Sequence, residues 1–253
     1  MPGDPEVAAG QAAEVTPRVA VIAALGLEIA PLAALLEGIP RAPISLHQSG
    51  SGYRRAYSAA RAALQGGAVA LVSWGIAGGL EPGLTAGALL LPRRVLKPGA
   101  EPRSADAEWR AALLPVLRPR FPVHEGDLLG AEEILATPRS KARAAMDSGA
   151  VAVDMESAAV ADAAHEAGRA FIAFRVVADR FADTLPPDVD RWIDDAGNRR
   201  LAPALDVALK PSHWRALLSL ALRYRKARQA LTESAGLVAA GGFLYPQASR
   251  RHS

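Results

Sequence analysis

Residues 151–157, VAVDMES, set two carboxylates, Asp154 and Glu156, on either side of Met155, where an apolar run meets an alanine-rich segment. Two further acids stand at comparable junctions. Glu28 closes AALGLE after the apolar run that begins at Val19, and Asp179 lies in RVVADRFAD. Carboxylates so placed can move protons or hold hydroxyls. They can equally cap helices, because the unpaired amides and the macrodipole at a helix N-terminus attract negative charge. Asp179 has a third reading, as a loop acid paired to the adjacent Arg180. On the residues alone these alternatives stay open.

The elements that must position the acids are legible as short apolar runs. VAVIAAL (19–25), AVALVSW (68–74), ALLLPRRV (88–95), AVAV (150–153) and FIAFRVV (171–177) read as strands buried on both faces, the pattern of a mainly parallel sheet. Helical segments fall between them, at Ile29–Glu37, Trp109–Leu117, Ser140–Met146, Ser157–Ala167 and Leu201–Leu209. Strand and helix alternate, which makes the class α/β. Pro and Gly clusters at 38–43, 81–87 and 97–103 read as loops. In such folds ligands bind where strands end and helices begin, so the strand ends are the places to search.

The chain has 253 residues, half of them hydrophobic and 22% charged, a globular composition in keeping with one large domain. It has no cysteine, which excludes disulfides, Cys-ligated zinc, Fe–S clusters and thiol nucleophiles, and points weakly to the cytosol. Residues 1–16 lack a basic start and an apolar run, so they read as a flexible tail and not as a signal peptide. The longest apolar window, Gly66–Leu80, is too short and too glycine-rich to span a bilayer. SWGIAGG (73–79) is not GxGxxG, the five histidines are scattered, and no serine sits in GxSxG. Carboxylate chemistry is what remains, with no metal or cofactor expected.

Four features in order, namely an acid after the first strand, a GxAGGL turn, DMES and RVVADRFAD, resemble the nucleoside phosphorylase family, and within it the methylthioadenosine/adenosylhomocysteine nucleosidases. The likeness runs from about Val19 to Asp183. It implies a single three-layer α/β/α domain around a mixed, mainly parallel sheet, an oligomer with a dimer favoured, and cleavage of the bond between ribose and a purine. LVSWGIAGGLEPGL, AVDMESAAVADAA and PSHWRALLSLALRYRKARQAL further resemble the hopanoid-associated branch, whose implied task is to release adenine from adenosylhopane.

The resemblance implies roles residue by residue. Asp179, held protonated, donates to adenine N7 as the glycosidic bond lengthens, and Arg180 must then point away from it. Glu28 lies near the anomeric carbon, where it stabilises oxocarbenium-like charge and takes a proton from attacking water. Glu156 accepts the 2′- and 3′-hydroxyls, and Met155 forms an apolar wall under the ribose. Ile76 and Gly78 of the glycine turn approach the substrate. Ile134 stands where relatives carry an aromatic ring against the base, and Leu135 follows as a backbone partner. Asp154 keeps its reading as a cap. Trp74 reads either as an aromatic neighbour of the base or as core.

Phosphorylase relatives have an arginine two residues before the first glycine of the turn and a hydroxyl just after it. Here those positions hold Ser73 and Ile76, poorer ligands for a phosphate dianion, and Glu28 would repel one. Hydrolysis is therefore expected over phosphorolysis, in which phosphate would be a co-substrate. GDP at Gly3–Pro5 precedes the first strand and reads as coincidence.

Residues 207–253 carry a net charge of +7 against −4 for the rest of the chain. Trp214, Leu217, Leu218, Ala221 and Leu222 recur at helical spacing, and Arg223, Arg225, Lys226 and Arg228 follow. This basic C-terminal extension (211–253), set beside a catalytic region of 17–210, either lies on the anionic inner face of the cytoplasmic membrane or packs its apolar stripe on the domain or a partner subunit. Nucleic-acid binding is not expected, because no interleaved aromatics or known motif accompany the charges. A non-catalytic nucleoside- or lipid-binding module is the rival from another class.

Overall fold

The computed structural model describes residues 18–37, 39, 42–186, 214–239, 243, 245 and 246. The N-terminal tail, the Gly3–Pro5 motif and the helix expected at Leu201–Leu209 lie outside the described residues.

Among the described residues ten strands form one sheet: β1 (Arg18–Ala23), β2 (Ile44–Gln48), β3 (Ala68–Gly79), β4 (Leu89–Leu90), β5 (Arg94–Leu96), β6 (Arg103–Ser104), β7 (Val123–His124), β8 (Leu128–Gly130), β9 (Ala152–Asp154) and β10 (Ala170–Asp179). The order is β6-β5-β8-β9-β3-β10-β4-β7, with β1 and then β2 joined to β3. Most pairings are parallel; β3–β9, β10–β4 and β5–β6 are antiparallel.

The helices among the described residues are α1 (Gly26–Leu36), α2 (Tyr53–Gln65), α3 (Ala107–Leu117), α4 (Pro138–Ser148), α5 (Ser157–Glu166) and α6 (Trp214–Val238). The period of two along the buried strands decides what each face meets. Val19, Val21, Val72, Trp74, Ile172 and Phe174 pack with Leu32 of α1, Leu113 of α3 and Leu231 of α6. Ala20, Ile22, Leu71, Phe171 and Ala173 point the other way, onto Ala56 and Ala60 of α2 and Ala159 and Ala163 of α5. The result is an α/β/α sandwich with a mixed, mostly parallel sheet.

Two expectations are corrected. The run 88–95 is two strands, because Pro92 has no amide to donate and interrupts the ladder. The glycines of SWGIAGG lie within β3 instead of in a turn: the strand continues to Gly79, where Gly78 and Gly79 pair with Val153 and Ala152. Helix α6 shares a layer with α1 and α3. Its second half buries Ala227, Leu231, Ala235 and Val238, whereas Leu218 and Leu222 of its first half are 64% and 53% exposed.

Trp74 is fully buried and belongs to the core. Its ring stacks on Phe174 and meets Phe243 edge-on, and its Nε1 donates to the Glu28 carbonyl at 2.9 Å. Trp109 donates from Nε1 to the Phe243 carbonyl at 2.6 Å.

Candidate active site

Glu28 occupies the first turn of α1, and its two oxygens do different things. Oε2 accepts the Leu25 amide at 3.0 Å, closing the helix N-terminus, and Oε1 accepts the Ile76 amide of β3 at 3.0 Å. The capping reading is thus present in its hydrogen bonds, together with a tie to the neighbouring strand. Gly75 makes this approach feasible: a Cβ there would lie 2.5 Å from Glu28 Oε1 and 2.7 Å from Arg175 Nη1. Burial pushes the Glu28 carboxyl above the usual range, against the opposing pull of Arg175 and the two amides.

Arg175, on β10, stands at the centre of the acids. Its Nε donates to Asp154 Oδ2 at 2.6 Å and its Nη2 to Ser73 Oγ at 2.7 Å. Asp154 also accepts the Ser157 amide at 3.2 Å and the Ser157 hydroxyl at 2.5 Å, so it caps α5 while neutralising the arginine. Glu28 and Glu156 share the same guanidinium field.

Glu156 takes the Gly52 amide at 2.7 Å and the Ser51 hydroxyl at 3.3 Å on Oε1. Burial first, and Asp154 second, push its carboxyl up to about 7. Three acids around one arginine cannot all be neutralised by it, and burial raises both Glu28 and Glu156 above the usual carboxylate range.

Asp179 ends β10 opposite Gly78 of β3, where a Cβ would meet its Oδ1 at 3.3 Å. Arg180 turns away and forks onto Asp183, with Nη2 to Oδ1 at 2.9 Å. The partner of Asp179 Oδ2 is Lys141 of α4. Burial pushes the Asp179 carboxyl up and Lys141 opposes that.

Next to Glu156 opens a cleft of about 1740 Å³, lined by Ser51, Gly52, Tyr53, Leu129, Leu135 and Met155 among others, with Arg54, Arg55, Lys97, Glu132 and Glu133 as its charged residues. Glu28, Ile76, Gly78, Glu156 and Asp179 are not among its lining residues; Ser51 and Gly52, which are, connect it to Glu156. Leu135 and Met155 line the cleft, whereas Ile134 is 38% exposed and does not. Ile76 and Gly78 join Glu28 and Asp179 along one strand end. The structure therefore gathers Glu28, Ile76, Gly78, Met155, Glu156 and Asp179 around the ends of β3, β9 and β10, with Met155 and Leu135 lining the cleft.

Arg175, Lys141, Ser51 and Gly52 are functional residues that the sequence alone did not bring out. Lys141 lies 38 residues from Asp179 in sequence, and no local pattern marks such a pair. For Arg175 a signal existed: a charge inside an apolar strand run needs a buried partner.

A family model described as the phosphorylase superfamily matches residues 18–206. The chain belongs to this superfamily. No curated protein matches it. Among solved structures of the same fold, the 5′-methylthioadenosine/S-adenosylhomocysteine nucleosidase of Neisseria meningitidis, in complex with methylthio-immucillin-A, is 19% identical, with a TM-score of 0.68 over 88% of this chain and 99% of that one. Futalosine hydrolase of Helicobacter pylori is 16% identical, with a TM-score of 0.67 over 90% and 97%. The Campylobacter jejuni 5′-methylthioadenosine/S-adenosyl homocysteine nucleosidase is 18% identical, with a TM-score of 0.66 over 88% and 97%. At these identities the likeness is one of fold. No described helix of this superfamily member is long and apolar enough to cross a membrane.

Proposed function

We propose that the protein cleaves the N-glycosidic bond of an adenine nucleoside by hydrolysis, with adenosylhopane as substrate. The observation that carries the reading is the pairing of Glu28 with the Ile76 amide at one strand end that also holds Asp179 against Gly78. One carboxyl then faces the sugar and the other the departing base, the two places where charge develops as the bond breaks. Asp179 protonates N7 as the C–N electrons move onto the purine. Glu28 takes the proton of the water that adds to the anomeric carbon, and Glu156, once ionised, accepts the ribose hydroxyls. The likeness in fold to the Neisseria and Campylobacter nucleosidases supports the class of bond.

Water is favoured over phosphate because the buried Arg175 is engaged by Asp154 and surrounded by Glu28 and Glu156, a field that repels a dianion. The adenosylhopane assignment draws on the sequence resemblance and on the cleft, whose volume exceeds what a nucleoside needs and whose wall includes Ala59, Leu129, Leu135, Met155 and Ala158. Exposed Leu218 and Leu222, one turn apart on α6 and followed by exposed Arg225 and Lys226, support contact with an anionic lipid surface at the same time. Residues Trp214 and Leu217 of that stripe have side chains outside the described residues.

The test is adenine release from adenosylhopane and methylthioadenosine in parallel, with and without phosphate. Release in phosphate-free buffer, with adenosylhopane preferred, is expected. Release that is negligible without phosphate and rises with it would establish phosphorolysis instead, and no release from either nucleoside would leave a binding module. Unchanged sedimentation with anionic vesicles at low salt would remove the membrane contact.

A further inference from the structure

The loop that follows Asp179 is held from three directions. From α4, Lys141, whose side chain is 1% exposed, brings Nζ to Asp179 Oδ2, to the Arg180 carbonyl at 2.6 Å and to the Asp183 carbonyl at 3.3 Å. Three acceptors thus meet the three protons of one buried ammonium. From within the loop, Asp183 accepts the Arg180 amide at 2.8 Å. From α6, Arg223 Nη1 reaches Asp183 Oδ1 at 2.9 Å, with the two side chains 12% and 5% exposed. Beyond them the Leu185 amide bonds the Ala136 carbonyl at 2.9 Å, one residue before the Thr137 cap of α4.

A buried lysine needs a counter-charge, and Asp179 is the carboxylate it contacts. The charged groups facing Asp179 are Lys141 from α4, Asp183 from its own loop and Arg223 from α6, while β3 presents the uncharged Gly78. The contacts fall on Oδ2, which leaves Oδ1 for a substrate.

We propose that Lys141 is a positioning residue for the Asp179 carboxyl, fixing which oxygen faces the purine and setting the upper pH limit of the reaction, with Arg223 steadying the loop from behind through Asp183. This rests on the reading of Asp179 as the acid that protonates the base. An adjacent ammonium favours the ionised carboxylate, so it lowers the pH at which the proton is lost. Activity that requires protonated Asp179 falls as pH rises through that point. Taking the positive charge away must therefore move the alkaline limb to higher pH.

The experiment compares pH profiles of kcat and KM for adenine release by the wild type, Lys141→Met, Lys141→Arg and Arg223→Gln, with carboxyl-carbon NMR titration of Asp179 in each. The alkaline limb and the Asp179 titration are expected to rise together, by about one pH unit or more in Lys141→Met. Lys141→Arg should restore the wild-type position, and Arg223→Gln should give a smaller rise of the same sign. Should Lys141→Met fail to fold, Lys141→Gln, which keeps a donor and removes the charge, takes its place with the same expected rise. An unchanged Asp179 titration in a folded charge-removal variant overturns the proposal. Were the protein to release no adenine at all, the function would fall while the NMR titration still read the pair, so the two failures are distinguishable.

Discussion

Arg175 and Asp154 form an ion pair in which neither side chain is more than 3% exposed, Nε to Oδ2 at 2.6 Å. The pair joins β10 to the start of α5 and places one positive charge among three carboxyls. Breaking a buried pair costs more than forming it gains, because one charge is left without a partner. Arg175→Gln is expected to destabilise the fold by about 3–5 kcal/mol in denaturant titration. A loss below about 1 kcal/mol would show that Asp154 simply takes up a proton and that the arginine is structurally dispensable.

Glu156 titrates near 7, and the direction of its effects follows. Its folded-state carboxyl is raised above the unfolded value of 4.5, so the stability it contributes is full below about pH 4.5 and is lost as pH climbs through 7. Thermal unfolding of the wild type should show this decline across that window, and Glu156→Gln should flatten it. Nucleoside binding should run oppositely, with KM falling as pH rises through 7, because the ionised form accepts two hydroxyls. A pH-independent KM in the wild type would count against the ribose role.

Gly75 and Gly83 offer a paired test. A methyl at Gly75 would collide with Glu28 Oε1 and Arg175 Nη1, while one at Gly83 meets nothing within 4 Å. Gly75→Ala is expected to lower kcat/KM by about 100-fold or more through displacement of Glu28, since small misplacements of reacting groups are costly. Gly83→Ala should be near wild type. Equal activity in the two would mean that Glu28 tolerates displacement.

Asp179→Asn should reduce kcat for adenine release by about 10²- to 10⁴-fold, the usual contribution of a positioned acid. Full activity in this variant would remove Asp179 from the chemistry.

The two halves of α6 should respond differently to truncation. Leu231→Ala, at a site 1% exposed, is expected to cost about 2–5 kcal/mol in chemical unfolding, whereas Leu218→Ala, at 64%, should fall within about 0.5 kcal/mol of wild type. Similar losses at both positions would place the first half of the helix in a contact of its own.

What could be read from the sequence follows from how far each signal reaches along the chain. The runs from Val19, Ala68 and Phe171 announced central strands because both their faces are buried. Helix α2 escaped notice because its buried stripe is Ala56, Ala60 and Ala63, with no large apolar residue to mark the period among arginines. Strand β2 was hidden by its mixed ISLHQ, an edge strand in which Ile44 is buried, Gln48 is exposed and the three residues between are partly buried. Within the site, acids at strand ends were legible singly. Their partners were not, since Ser51 and Gly52 meet Glu156 across more than 100 positions and Lys141 meets Asp179 from another helix. Long-range pairing is a property of the sheet order, which no local pattern encodes.

The Trp74 ring, clasped between Phe174 and Phe243 while its nitrogen holds the Glu28 carbonyl, makes the two extremities of the described chain one mechanical object. Phe243 is anchored in turn by Trp109. A bulky fusion or a deletion near the C-terminal end would thus be transmitted through two indoles to the first helix, and would be noticed by an acid more than 200 residues upstream before it was noticed by the cleft.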